Sequence, residues 1–108
     1  MIYTNKISDN LIISFNQMNK LNILNCDIIK DELFKMLDRK EDQQITIDLG
    51  NITFIDSSGF SLLIDINKHA AQQGKHICFT NLSEEVSELV QLMKLQNLFR
   101  STGQIYHA

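Results

Sequence analysis

Residues 54–60, Phe-Ile-Asp-Ser-Ser-Gly-Phe, hold the side chains of this chain best placed to do chemistry. A carboxylate (Asp56), two hydroxyls (Ser57, Ser58) and a glycine (Gly59) stand in a row between two apolar-rich runs, 45–55 and 60–66. Three chemistries suit such a row. The first is helix capping, in which Asp56 or Ser57 accepts hydrogen bonds from the exposed amides of a first helical turn. The second is anion binding at the same turn, where unpaired N–H groups and the helix dipole favour negative charge. The third follows from the second: a serine at that position can carry a phosphoryl group of about −1.5 to −2 charges without disturbing the helix.

Nucleophilic catalysis fits less well. A serine nucleophile needs a base and an orienting acid. Gly-x-Ser-x-Gly is absent. His69 falls about three turns down the helix expected after the motif, and His76 and His107 have no evident pairing with Ser57, so all three histidines are expected at the surface. A phosphoacceptor-aspartate receiver needs acids from several strand ends. Asp48 and Asp56 instead lie on one strand-loop segment, with no acidic pair near the first strand. Cys26 and Cys78 lie far apart without CxxC or Cys/His spacing, which argues against zinc and against a disulfide framework. No metal and no cofactor is expected.

At 108 residues with 44% hydrophobic side chains, one domain with its own core is expected over 1–108. A net charge of −3 gives no footprint for nucleic acid or an anionic membrane. No apolar stretch of about 18 residues and no charged-then-apolar leader appears, and a cytoplasmic protein is expected.

The elements that must position the motif read as follows. Residues 1–8 and the apolar "LIISF" flank the turn-forming "SDN" and predict an N-terminal antiparallel hairpin. "NQMNKLNILN" is a polar connection with Met18, Leu21 and Leu24 tucked under the fold, and Asn25 caps a helix over 26–39 whose apolar stripe is 29, 33, 36 and 37. A strand from 45 leads through Asp48 to Ile55. A helix over 60–73, striped by Leu62, Leu63, Ile66 and Ala70, ends at Gly74. "HICFTNL" is a strand. Ser83 caps a third helix, with Glu84 and Glu85 in its first turn and Val86, Leu89, Val90 and Met93 packing. Phe34, Met36 and Phe99 are core or near-core, and "QIYH" is a possible last strand. The order ββαβαβα predicts an α/β fold, a mixed sheet covered by about three helices.

Residues 47–70, "IDLGNITFIDSSGFSLLIDINKHA", resemble the signature region of the STAS domain, specifically of single-domain bacterial anti-sigma factor antagonists. The resemblance implies that Ser57, directly after the aspartate, is phosphorylated by a cognate anti-sigma factor serine kinase. It further implies that Asp56 and Ser58 help shape the docking surface, that Gly59 permits the turn at that partner-binding site, and that a PP2C-type phosphatase resets the switch. Lacking a side chain, Gly59 is also expected to leave the backbone uncrowded for a partner's close approach. There are two departures from the family pattern. Asn22 stands where an acidic residue is usual near the phosphosite, which keeps hydrogen bonding but loses the charge. "GFSLLID" replaces the commoner "GLGVLL" and sets a bulkier Phe60 near the expected interface. The alternative within the same resemblance is an adaptor that regulates a transporter or a lipid-trafficking complex, with the helix N-terminus taking a nucleotide phosphate. No Walker-type glycine loop accompanies it.

Overall fold

The computed structural model describes residues 2–40 and 44–101. The expected "QIYH" strand and His107 lie outside the described residues. Two strands, β1 (Ile2–Ile7) and β2 (Asn10–Phe15), form the antiparallel hairpin. Its turn is Ser8-Asp9, with Ser8 left-handed at φ 58°. After β3 (Lys20–Leu21) and α1 (Cys26–Leu37), the chain returns as β4 (Gln44–Asp48), parallel to β2. It then runs through β5 (Phe54–Ile55) and α2 (Ser57–Gln72) to β6 (His76–Thr80), parallel to β4. The main sheet is ordered β1-β2-β4-β6, and α3 (Glu84–Leu92) and the short α4 (Gln96–Ser101) follow it.

Alternation decides which face of the sheet is covered. In β2, β4 and β6 the odd-numbered residues are the buried ones, and the register aligns them in rows across the strands. Ile45 stands between Leu11 and Ile77, and Ile47 between Ile13 and Phe79. The helices bury their stripes in the same core, through Ile29, Leu33 and Leu37 of α1, Leu63 and Ile66 of α2, and Val86 and Val90 of α3. Phe99 of α4 packs on Phe79 with ring centroids 5.0 Å apart. Fully burying such side chains contributes roughly 1.5–3 kcal/mol each, so this shared layer is the main source of stability. Among the described residues, no helix is long and apolar enough to cross a membrane.

Four expectations change. The strand expected from 45 to 55 is two strands, because Asp48 folds the chain off the sheet. Its Oδ1 accepts from the Gly50 N–H at 2.8 Å, and the Ile52 N–H then donates to the Leu49 carbonyl at 2.9 Å. Leu49, Ile52 and Ile55 are all buried, so the apolar run continues although the strand does not. The supposed connection before α1 contains β3, which pairs parallel with β5 through Lys20↔Phe54 and Leu21↔Ile55. Leu21 is buried and Met18 half-buried as expected, whereas Leu24 is exposed. Met93 is also exposed, since it lies past the end of α3, where Lys94 turns left-handed (φ 57°).

Helix ends follow the chemistry of their residues. Gly74 sits one residue past the α2 C-cap at φ 71°, and the Lys75 N–H reaches back to the Ala70 carbonyl at 2.9 Å, a Schellman closure. Ser83 Oγ accepts from the Val86 N–H at 3.2 Å and caps α3, and it also donates to the Ile52 carbonyl at 2.9 Å. Asn25 occupies the α1 N-cap but makes no side-chain cap bond. Its amide instead serves the preceding turn.

Candidate functional site

The motif residues sit where β5 hands over to α2. Asp56 is the N-cap of α2, with extended backbone (φ −90°, ψ −175°), and its Oδ1 accepts from the Gly59 N–H at 2.9 Å. Of the two capping options, the carboxylate therefore takes the role, and α2 begins at Ser57, three residues earlier than the periodicity implies. The first two amides of the helix, of Ser57 and Ser58, have no intrahelical acceptor by geometry. Ser57 is exposed. Ser58 is half-buried and lines a groove of about 250 Å³ between α1 and α2, along with Ile23, Cys26, Lys30, Ser61 and Asp65. The two serines thus differ in access, and Ser57 is the more exposed.

Gly59 is buried. A Cβ there would lie 2.5 Å from the Leu21 carbonyl oxygen and 2.6 Å from Ile55 Cγ2. The glycine lets α2 press against β3 and β5, so its crowding faces inward, and the open approach for a partner expected at this position is absent. Phe60 is likewise a core residue, 1% exposed. Its large apolar side chain follows the inward face of α2, and it offers nothing to a partner at the surface.

The turn between β3 and α1 forms the neighbouring wall. Asn22 Oδ1 accepts from the Leu24 N–H (3.0 Å), and Asn25 Oδ1 accepts from the Asn22 N–H (3.0 Å). Asn25 Nδ2 donates to the Lys20 carbonyl (2.8 Å). Asn22 therefore builds its own turn from within. The Ile23 N–H donates across to Asp56 Oδ2 at 3.1 Å. The apolar side chains on this wall face solvent: Ile23 is 73% exposed, Leu24 86%, Ile28 on the first turns of α1 55%, and Phe54 of β5 43%. Sequence reading passed over Ile23, Ile28 and Phe54 and placed Leu24 under the fold. The available signal was weak: "NILN" puts two large apolar residues between asparagines, outside any helical stripe.

The local field is negative. Burial first, then the charges of Asp56 and Asp27, push the Cys26 thiol above its ordinary value. Further along the groove, Lys30 Nζ lies 3.2 Å from Asp65 Oδ2. His69, expected at the surface, is half-buried in the α1/α2 seam. Its ring stacks on Phe34 at 4.2 Å, and its Nε2 lies 2.7 Å from Asp38 Oδ1. Twelve residues of helix separate His69 from Ser57, roughly 18 Å at the helical rise, so the structure does not bring this base to the serine. His76 is exposed, and Asp48 is occupied with Gly50 and Asn81. Cys26 and Cys78 form no disulfide.

The model of the STAS domain family matches residues 2–107. The chain belongs to the STAS domain family. Among curated proteins, a STAS-domain containing protein of Pseudomonas aeruginosa is 29% identical over 58 residues, which cover 54% of this chain and 57% of that protein. The match thus spans little more than half of the curated relative. Among solved structures, a Thermotoga maritima protein described as an anti-sigma factor antagonist has a TM-score of 0.79 at 23% identity, over 99% of this STAS domain and 86% of that chain. The anti-sigma factor antagonist SpoIIAA in its unphosphorylated form has a TM-score of 0.75 at 14% identity, over 100% and 89%. At these identities the likeness shows a shared fold, the mixed sheet with its antiparallel hairpin and helices.

Proposed function

We propose that this STAS domain is a phosphorylation-gated binding switch of the anti-sigma factor antagonist kind. In its unphosphorylated state it binds a cognate anti-sigma factor serine kinase in the cytoplasm. The kinase transfers the γ-phosphoryl group of ATP to Ser57 Oγ, the hydroxyl proton leaves and ADP is released. The modified protein then dissociates, and a PP2C-type phosphatase hydrolyses the phosphate to restore the binding form. The domain itself carries out no reaction.

The observation that carries this reading is the exposure of Ser57 at the first turn of a 16-residue helix, beside exposed apolar side chains on the adjoining wall. The free first-turn amides accept an anion, so the fold tolerates the phosphate. The surface does not stay the same. About −1.5 to −2 charges appear next to the Asp56 carboxylate and beside apolar residues that a partner would have to desolvate. Such a change opposes a docked interface while leaving the domain folded.

Incubation with ATP and candidate anti-sigma serine kinases, followed by mapping of the phosphate by mass spectrometry, tests the assignment. Labelling should vanish in Ser57→Ala and persist in Ser58→Ala. Phosphate retained in Ser57→Ala and lost in Ser58→Ala would overturn it.

A further inference from the structure

Asp56 makes two bonds of different kinds. Its Oδ1 caps α2 through the Gly59 N–H, three residues away, while its Oδ2 reaches the Ile23 N–H, thirty-three residues away in the chain. The turn that carries Ile23 and Leu24 is otherwise closed by its own residues. Asn22 and Asn25 satisfy the Asn22 and Leu24 amides with their side chains, and the Asn22 carbonyl accepts from the Asn25 (3.1 Å) and Cys26 (3.0 Å) amides. The turn can therefore form without α2. Its base is fixed where β3 pairs with β5 and the Asp56 N–H donates to the Leu21 carbonyl at 3.1 Å, and beyond that base the Asp56 Oδ2 bond to the Ile23 N–H is the side-chain link that ties the turn itself to the start of α2.

We propose that Asp56 is a positioning residue, holding the Ile23–Leu24 turn in register with Ser57 so that the apolar pair and the hydroxyl present one surface. The proposal rests on the phosphoacceptor reading of Ser57 for its functional consequence. Its structural half stands apart from that reading. Position 56 also explains why a carboxylate serves better here than the other good capping residues. Serine can cap but is too short to reach Ile23. Asparagine can cap with its one carbonyl oxygen, but then turns an N–H₂ donor toward the Ile23 N–H donor. Only two acceptor oxygens satisfy both amides.

Asp56→Asn and Asp56→Ser therefore separate the two bonds. Amide hydrogen exchange by NMR should show Gly59 protected as in the wild type in both variants, with Ile23 exchanging at least tenfold faster. With a kinase that labels Ser57 of the wild type, KM for the variants should rise severalfold at unchanged kcat, because placement of the wall is lost while the hydroxyl is intact. Unchanged Ile23 exchange in both variants would overturn the proposal, and so would Gly59 and Ile23 losing protection together. If Ile23 is released and KM does not move, the positioning role in recognition is refuted. If no kinase labels the wild type, the phosphoacceptor reading fails by itself, and the exchange measurement still decides whether Asp56 holds the turn.

Discussion

Replacing Gly59 by alanine sets two effects of opposite sign against each other. Gly59 lies in the first turn of α2, and its backbone is not left-handed, so alanine gains helix propensity of up to about 1 kcal/mol. Against this, the new Cβ would sit 2.5 Å from the Leu21 carbonyl oxygen and 2.6 Å from Ile55 Cγ2, with Leu21 Cβ at 3.0 Å. The carbonyl belongs to β3, which is pinned to β5 and to the Asp56 N–H (3.1 Å), so it cannot rotate away as a surface side chain would. Relief requires α2 to move outward. Overpacking of this kind costs roughly 1–3 kcal/mol, and with backbone on one side of the contact the upper part of that range applies. The net expectation is a loss of about 1–2 kcal/mol, which for a domain of this size lowers Tm by roughly 5–15 °C. Urea and thermal denaturation followed by circular dichroism measure it, and an unchanged m-value would show that stability alone has changed. A Gly59→Ala protein as stable as the wild type, or more stable, would mean that propensity wins and that the close approach of α2 to β3 is wrong.

Two further outcomes follow from the same site. The Cys26 thiol, pushed up by burial first and then by Asp56 and Asp27, should alkylate more slowly at pH 8 than an unhindered cysteine, and Asp56→Asn should speed it by removing one negative charge. Because the raised value favours the neutral thiol in the fold, the stability Cys26 contributes is full below the unfolded thiol value of about 8.5 and is lost as pH rises above it. Site-resolved alkylation and alkaline denaturation check both statements, and labelling of Cys26 at the rate of a free thiol would contradict them. The Lys30–Asp65 pair, with side chains 40% and 44% exposed, should be worth less than about 1 kcal/mol in a double-mutant cycle and less still at high salt; a coupling above about 2 kcal/mol would show that the groove is drier than it looks.

The helices were legible because a 3.6-residue stripe must face a core, and the stripes of α1 and α2 did so. The hairpin and the strands β2, β4 and β6 were legible through turn chemistry and two-residue alternation. The division between β4 and β5 was not, since Leu49, Ile52 and Ile55 keep the chain apolar while the Asp48–Gly50 turn, a side-chain-to-backbone bond, takes it off the sheet. A strand as short as β3 has no period to detect. At the site, Ser57 and Asp56 could be placed from spacing and capping preference. Phe60 could not: comparison with the family pattern put it near the expected interface, while its direction on α2 is inward. The role of Gly59 depends on how near Leu21 lies, which is a tertiary distance and leaves no mark in local sequence. The exposed Ile23 and Leu24 break the rule that large apolar residues go inside, and only the fold reveals which ones do so together.

On the proposed reading, one phosphate on Ser57 ends partner binding without unfolding the domain. Titration of the unmodified and the Ser57-phosphorylated protein against the kinase that modifies it, by isothermal calorimetry, tests this most directly when paired with circular dichroism of both forms. Superimposable spectra and an affinity at least tenfold weaker for the phosphorylated form are expected. Equal affinities for the two forms, or weak binding that comes with a lost native spectrum, would contradict it.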